Sequence, residues 1–215
     1  MNQAIENYLT SIIPQRNQLF NEMEAYALEH KVPIMDLIGM EALIGMLRLH
    51  RPKKILEIGT AIGYSALRIS EALPQATIVT LERDEERLQK AREYIKAAKK
   101  EAAITILEGD ALELFDAVKE HGPYDAIFID AAKGQYQKFF ELYSPLLNEQ
   151  GMIVTDNVLF KGLVAVSNEE IEQKRLRSLV NKIRNYNKWL MSHNDYHTVI
   201  LPIGDGVAIS VKKMR

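Results

Sequence analysis

Four side chains in two short segments have the residue types and spacing to do chemistry together. In YDAIFIDAAKGQY an apolar run ends in Asp130, and Lys133 follows three residues later. In GMIVTDN a second apolar run ends in Asp156 and Asn157, 26 residues beyond Asp130. Each of these residues alone is explained equally simply as a turn former after a strand. Together, the two aspartates and the asparagine offer three oxygen ligands of the kind that Mg²⁺ prefers.

The pattern of elements around these segments predicts an α/β fold. After Pro52, short apolar runs alternate with helical patterns, which indicates a mostly parallel, doubly wound sheet covered on both faces. The first fifty residues have helical spacing, and the C-terminal segment predicts an antiparallel hairpin that turns at Gly204-Asp205-Gly206. The predicted parallel strands are residues 53–59, 76–82, 103–109, 124–130 and 151–157.

The length of 215 residues predicts one domain, 1–215, with a helical cover over 1–50 and an α/β core over 53–215. A net charge of −2 excludes a globally basic nucleic-acid binder, and the absence of cysteine excludes disulfides and thiolate chemistry. The N-terminus lacks a signal-peptide pattern, and the sequence has no long apolar run. We therefore expect a cytoplasmic protein without a membrane segment.

A second candidate site follows the first three predicted strands. In LEIGTAIGYS, Gly59 and Gly63 flank a turn into a helix, without the spacing of a dinucleotide fingerprint or a phosphate-binding P-loop. The acid Glu82 ends the second strand, where it could hold a ribose diol. Glu57 and Asp110 are the acids near the ends of the first and third strands, and each of the three acids could instead be only a cap or turn residue. Taken together, the three acids favour an adenosyl ligand without pyrophosphate, such as S-adenosylmethionine. The other candidate residues of this site are Ser65, Gly109 and Ala111.

The combined motifs resemble a known family. EIGTAIGYS, TLERD, EGDA, FIDAAKGQY, VTDNVLFKG and PIGDG, in this order, are similar to the cation-dependent class I O-methyltransferases, a group with a Rossmann-like fold. That group includes catechol and caffeoyl-coenzyme A methyltransferases. The resemblance covers roughly residues 30–215. Through IDAAKGQYQKFF and TDNVLFKGLV it is strongest to the bacterial branch that methylates 5-hydroxyuridine at the tRNA wobble position.

The resemblance implies roles for nine of the candidate residues. It makes Asp130, Asp156 and Asn157 the ligands of Mg²⁺ or another divalent cation, and it places Lys133 where the family has its candidate general base. The alternative is that Lys133 only begins a helix and pairs with Asp130. The residues implied for S-adenosylmethionine are Gly59 and Ser65 at the methionine portion, Glu82 at the ribose, and Asp110 and Ala111 at the adenine.

The acceptor stays open between tRNA and a small phenol. Residues 174–188 form a basic amphipathic helix pattern that could contact the phosphates of a tRNA anticodon loop, with Tyr186 and Trp189 stacking a base. Such a helix face is also often only solvated. A small catechol, phenol or phenolic acyl-coenzyme A ester is therefore the alternative substrate, and a silent module that binds adenosylmethionine and RNA is a third possibility. The resemblance also implies that the N-terminal helices either cover the donor pocket or form the face of a homodimer, and the sequence does not decide between these two roles.

Overall fold

The computed structural model describes residues 3–213. The chain begins with three helices, as the sequence predicts, and two of them have side-chain caps. Asn17 accepts a hydrogen bond from the Phe20 amide at 3.1 Å, and Asp36 accepts one from the Gly39 amide at 3.0 Å. Such caps satisfy amides that have no partner within the helix. The helices are α1 Gln3–Ile12, α2 Gln18–Glu29 and α3 Leu37–His50.

One seven-stranded sheet forms the centre of the molecule, in the order β3-β2-β1-β4-β5-β7-β6. The first five strands are parallel, whereas β7 runs antiparallel to both β5 and β6. The predicted α/β fold with its C-terminal hairpin is confirmed. The strands are β1 Lys54–Ile58, β2 Thr77–Glu82, β3 Ile104–Glu108, β4 Tyr124–Ile129, β5 Leu147–Thr155, β6 Tyr196–Leu201 and β7 Val207–Lys212.

Helices cover both faces of this sheet. They are α4 Tyr64–Ala72, α5 Glu85–Ala97, α6 Phe115–His121, α7 Tyr136–Tyr143 and α8 Lys174–Met191, with short 3₁₀ turns at Lys133–Gln135, Ser144–Leu146 and Phe160–Ala165. Within residues 3–213, none of the helices combines the length and the apolar character that a membrane crossing requires.

Alternation along the strands divides the buried side chains into two hydrophobic clusters. On β1, Ile55 belongs to the cluster under α2, α3, α4 and α5, whereas Leu56 belongs to the cluster under α6, α7 and α8. Successive strand residues point to opposite faces, so both clusters come from the same five central strands. The near-continuous apolar runs in the sequence have this physical cause.

Two boundaries differ by four residues from the sequence prediction, whereas the other predicted strand boundaries differ by at most two. Strand β5 begins at Leu147 rather than at residue 151, because Leu147 pairs with Tyr124 across a register irregularity. Because residues 148–150 are polar, the apolar pattern of the sequence did not predict this extension of the strand. The helical pattern ALELFDAVKEH predicts a helix from residue 111, but α6 begins at Phe115. The Asp110 carboxylate accepts a hydrogen bond from the Leu112 amide at 2.9 Å, so a turn precedes the helix.

Two leucines on α3 test whether this helix belongs to the core. Leu43 has no exposed surface, whereas Leu49 on the same helix is 87% exposed. We expect Leu43→Ala to lower the free energy of unfolding by about 2–5 kcal/mol, because it removes buried methyl groups and leaves a cavity. Leu49→Ala should change it by less than about 0.5 kcal/mol. Urea unfolding of both variants measures the difference, and equal losses would contradict the packing described.

Candidate active site

A cavity of about 410 Å³ opens at the carboxyl ends of the parallel strands. Residues from the ends of β1, β2, β3, β4 and β5 line it, together with Pro33, Ile34 and Met35 from the segment between α2 and α3. The carboxyl edge is where open α/β sheets bind their ligands. The cavity is lined by ten of the twelve candidate residues: Gly59, Ser65, Glu82, Gly109, Asp110, Ala111, Asp130, Lys133, Asp156 and Asn157. Glu57 and Gly63 are not in its lining.

Gly59 allows the loop after β1 to pass directly against the loop after β4. Its φ of +108° lies in the left-handed region, and a Cβ built on it would lie 2.0 Å from the carbonyl oxygen of Asp130. A side chain at this position is excluded by both strain and contact. Consequently, the loop that begins at Gly59 and the acid Asp130 share one wall of the cavity.

Glu57 lies beneath this loop and is fully buried. Its carboxylate accepts hydrogen bonds from the hydroxyls of Ser65 and Thr80, each at 2.5 Å. Burial and, to a lesser extent, the negative charges of Asp130 and Glu82 together raise the pKa of Glu57 to about 7, although the two hydroxyl donors lower it. The carboxyl group of Glu57 therefore holds the Ser65 side chain in place rather than lining the cavity. The sequence pattern did not distinguish this supporting role from direct contact with a ligand.

The acids at the next two strand ends are both held in place by hydrogen bonds. Glu82 accepts from the amide of Ala61 at 2.8 Å and from those of Arg83 and Asp84, both at 2.9 Å. Asp110 accepts from the Arg83 guanidinium at 3.0 Å. These contacts fix the direction of each carboxylate, so the edge presents oriented acceptors of the kind that suits hydroxyl and amino groups of a nucleoside.

Asp130, Lys133, Asp156 and Asn157 meet at one end of the cavity. The Lys133 ammonium donates a hydrogen bond to the Asn157 side-chain oxygen, and the Asn157 amide donates one to Asp156 Oδ2 at 3.0 Å. Asp156 is only 1% exposed, and its second oxygen, Oδ1, is buried without a hydrogen-bond partner. A buried carboxylate oxygen without a partner is costly.

The two aspartates lie close enough to disturb each other's ionisation. Burial and, to a lesser extent, the charge of Asp130 together raise the pKa of Asp156 to about 8. Burial likewise raises the pKa of Asp130 to about 6, although the nearby Lys133 lowers it. Within residues 3–213, no group of three His, Cys, Asp or Glu side chains is arranged to hold a metal. The two carboxylates and the Asn157 amide nevertheless fit a hard cation, because they supply only oxygens and leave one of them unsatisfied.

Several residues that shape this site were missed by the sequence reasoning. Tyr136 is buried and donates its hydroxyl to the Asp156 carbonyl at 2.9 Å, which fixes the end of β5. Thr80 joins Glu57 to Thr60, whose hydroxyl lies 2.6 Å away. A threonine between apolar residues in TIVTLE was the available signal for Thr80, whereas nothing in the sequence signals the contact of Tyr136.

Helix α8 has both internal and exposed basic residues. Arg177 donates to the Ile171 carbonyl, and Arg184 donates to carbonyls of the segment 163–166, so both hold the chain that precedes the helix. The prediction that Tyr186 could stack a base is wrong. Its ring is buried, and its hydroxyl lies 2.9 Å from that of Thr155. The exposed basic residues, called here the α8 basic surface, are Lys174, Arg175, Lys182 and Lys188.

Comparison with known proteins identifies the family. The family model described as O-methyltransferase matches residues 10–213. Caffeoyl-CoA O-methyltransferase of Medicago sativa is 30% identical, over 96% of this chain and 87% of its own. Flavonoid 3',5'-methyltransferase of Vitis vinifera is 33% identical, over 96% of this chain and 93% of its own. The chain therefore belongs to the O-methyltransferase family.

Solved structures agree with this assignment. A provisionally named caffeoyl-CoA O-methyltransferase from Staphylococcus aureus is 38% identical, with a TM-score of 0.92 over 98% of this chain and all of the other. The SAH-bound methyltransferase PaMTH1 of Podospora anserina is 25% identical, with a TM-score of 0.86 over 99% of this chain and 95% of the other. The protein is an S-adenosylmethionine-dependent O-methyltransferase, and the cavity at the sheet edge is its candidate donor site.

The buried Glu57 generates a prediction about pH. Because burial raises the folded-state pKa from an ordinary 4.5 to about 7, the folded protein holds this proton more tightly than the unfolded chain does. The stability from the protonated acid is thus fully present below pH 4.5 and is lost as the pH rises towards 7. Glu57→Gln stays neutral, so its stability relative to the wild type should increase between pH 5 and pH 8, by at most on the order of 3 kcal/mol.

Urea unfolding of both proteins at pH 5 and pH 8 measures this change. If the amide of the variant fails to replace a hydrogen bond, its stability falls equally at both pH values. The change in the stability difference between pH 5 and pH 8 therefore reports the ionisation of Glu57 alone. A stability difference that is the same at the two pH values would show that Glu57 does not titrate in this range.

Proposed function

We propose that this chain methylates the 5-hydroxyl of 5-hydroxyuridine at the wobble position of tRNA, giving 5-methoxyuridine. The methyl group comes from S-adenosylmethionine, and a divalent cation such as Mg²⁺ is held by Asp130, Asp156 and Asn157. The cation is supported by the unpartnered Oδ1 of Asp156 and by the raised pKa values of both aspartates. These features indicate that the negative charge of the two aspartates is only partly offset by Lys133, which leaves room for a cation.

The residues of this chain have separate tasks in the reaction. When bound, the cation supplies positive charge that stabilises an oxyanion of the acceptor hydroxyl. In this proposal the amine of Lys133, which lies against the Asn157 side chain, accepts the hydroxyl proton as the general base. Glu82 and Asp110 orient the nucleoside of the donor through fixed carboxylates. Holding the acceptor oxygen in line with the reactive methyl group removes much of the entropic cost of transfer.

The observation that favours an RNA acceptor is the position of the α8 basic surface beside the mouth of the cavity. A Cβ built on Gly134, the neighbour of Lys133, would lie 3.5 Å from Lys182 Nζ. Lys182 is exposed, and in the described part of the chain neither it nor Lys174 forms an ion pair or a side-chain hydrogen bond. Lysine side chains without a protein partner beside an active site are suited to bind the phosphates on either side of a target base in RNA.

A second acceptor class is favoured by the names of the relatives. The Medicago sativa protein is a caffeoyl-CoA O-methyltransferase, and the Vitis vinifera protein acts on flavonoids by its name. A catechol, phenol or phenolic acyl-coenzyme A ester offers the same neighbouring oxygens to a cation as 5-hydroxyuridine does. With such an acceptor, the α8 basic surface would face coenzyme phosphates or solvent.

The reaction can be tested directly with labelled S-adenosylmethionine and Mg²⁺. We expect label to appear as 5-methoxyuridine in hydroxyuridine-containing tRNA, and we expect EDTA to abolish it. Asp156→Ala should lower the rate on the order of 100-fold or more, because the cation site loses a ligand. Asp116→Ala, an exposed aspartate on α6, serves as the matched control. Turnover of phenols with tRNA left unmethylated would reject the RNA acceptor, and activity that survives EDTA would reject the cation.

Charge reversal on α8 separates an RNA acceptor from a small one. The double variant Lys174→Glu, Lys182→Glu should lower tRNA methylation roughly 10- to 100-fold near physiological salt, because it removes phosphate contacts. It should also weaken the dependence of the rate on salt concentration. Lys96→Glu, at an exposed lysine near the end of α5, is the matched control. The affinity for S-adenosylhomocysteine should not change in either variant, and equal tRNA rates would rule out the α8 contact.

A further inference from the structure

A cluster of charged side chains joins three helices behind the donor cavity. The Arg68 guanidinium on α4 donates hydrogen bonds to the Tyr64 hydroxyl at 2.7 Å and to the Glu41 carboxylate on α3. The Tyr64 hydroxyl in turn donates to Glu24 on α2 at 2.6 Å. Arg16, which precedes α2, donates to both oxygens of Glu24 at 2.9 and 2.7 Å. We call these five residues the latch cluster.

The latch cluster is balanced in charge and mostly shielded from water. Arg68 is only 6% exposed, and its guanidinium also lies over the rings of Phe20 at 5.3 Å and Tyr64 at 5.6 Å. Burial alone would raise the pKa of Glu24, but the hydrogen bonds from Arg16 and Tyr64 lower it, so this carboxylate is ionised. A buried arginine is retained only where partners of this kind compensate the loss of its hydration.

The latch cluster connects directly to the wall of the donor cavity. Tyr64 lines that cavity, and so does Ser65, the next residue of α4. On the opposite side, Pro33, Ile34 and Met35 line it from the short segment between α2 and α3. Glu24 and Glu41 lie on the two helices that flank this segment. The latch cluster therefore ties the cavity wall formed by Pro33, Ile34 and Met35 to α4.

We propose that Arg68 is a positioning residue for the methyl donor, acting through Tyr64, Glu24 and Glu41 to hold the N-terminal helices closed over the donor cavity. None of these residues takes part in the transfer described above. The inference requires only that the cavity binds the donor, and it holds for either acceptor class. It therefore predicts an effect on donor affinity that is separate from any effect on the chemical step.

Three variants test this role at different points of the latch cluster. Arg68→Met removes the centre, Tyr64→Phe removes one hydroxyl, and Glu41→Gln removes one half-exposed charge. For each variant, isothermal titration calorimetry should show that the affinity for S-adenosylhomocysteine falls roughly five- to twentyfold. The reason is that the segment between α2 and α3 is no longer held at its position relative to α4. At saturating donor, kcat should stay within about twofold, so the loss should appear in the KM for S-adenosylmethionine. Arg68→Lys should recover part of the affinity.

The control is Arg92→Met, which breaks the exposed ion pair with Glu108 at 3.2 Å on another part of the surface. It should leave donor affinity unchanged. If Arg68→Met fails to fold, the milder Tyr64→Phe and Glu41→Gln variants decide the question. Donor affinity within twofold of the wild type in both folded variants would overturn the proposal, and so would a loss in kcat with the donor KM unchanged.

Discussion

The repulsion between two carboxylates at the ends of neighbouring strands is the constraint on which the rest of the site depends. Ile129 pairs with Thr155 in the parallel register, and the Asp156 amide donates to the Ile129 carbonyl at 3.0 Å. Asp130 and Asp156 therefore leave the sheet side by side, and backbone hydrogen bonds prevent them from separating. Like charges in a poorly hydrated site must be neutralised by protons, by a basic side chain or by a cation. This requirement explains the position of Lys133 and supports the proposed metal.

The donor loop is built into the same arrangement. Gly59 packs against the carbonyl of Asp130, and the Asp130 amide donates to the Ile58 carbonyl at 3.0 Å. The loop after β1 and the loop after β4 are consequently one rigid unit, since neither can move without breaking strand pairing. Transfer of a methyl group requires the donor and the acceptor oxygen to be held in line. A backbone contact without side chains is a direct way to fix that distance, because it leaves no rotamer to adjust.

Much of this arrangement could be predicted, because apolar runs that end in acids identify both the strands and their functional edge. The order of the elements and the gathering of Asp130, Asp156 and Asn157 followed from that pattern alone. The sequence could not show that Glu57 would contact Ser65 and Thr80. The first contact depends on how α4 packs on the sheet, and the second depends on the register of β1 and β2, which pairs Glu57 with Thr80. It also could not separate the core face of α8 from its exposed face at every position, which is why Tyr186 was misplaced.

We expect the choice of acceptor to depend on elements outside the sheet. A catechol, a phenolic coenzyme A ester and 5-hydroxyuridine all present neighbouring oxygens, so the cation site itself cannot distinguish them. The α8 basic surface extends from Lys174 to Lys188, which spans about 21 Å at 1.5 Å per helical residue. A coenzyme concentrates its phosphates in a small region, whereas an RNA strand repeats them along its length. We propose on this ground that the α8 basic surface contacts repeated phosphates. Lys182, within this surface, lies beside Gly134, the neighbour of Lys133.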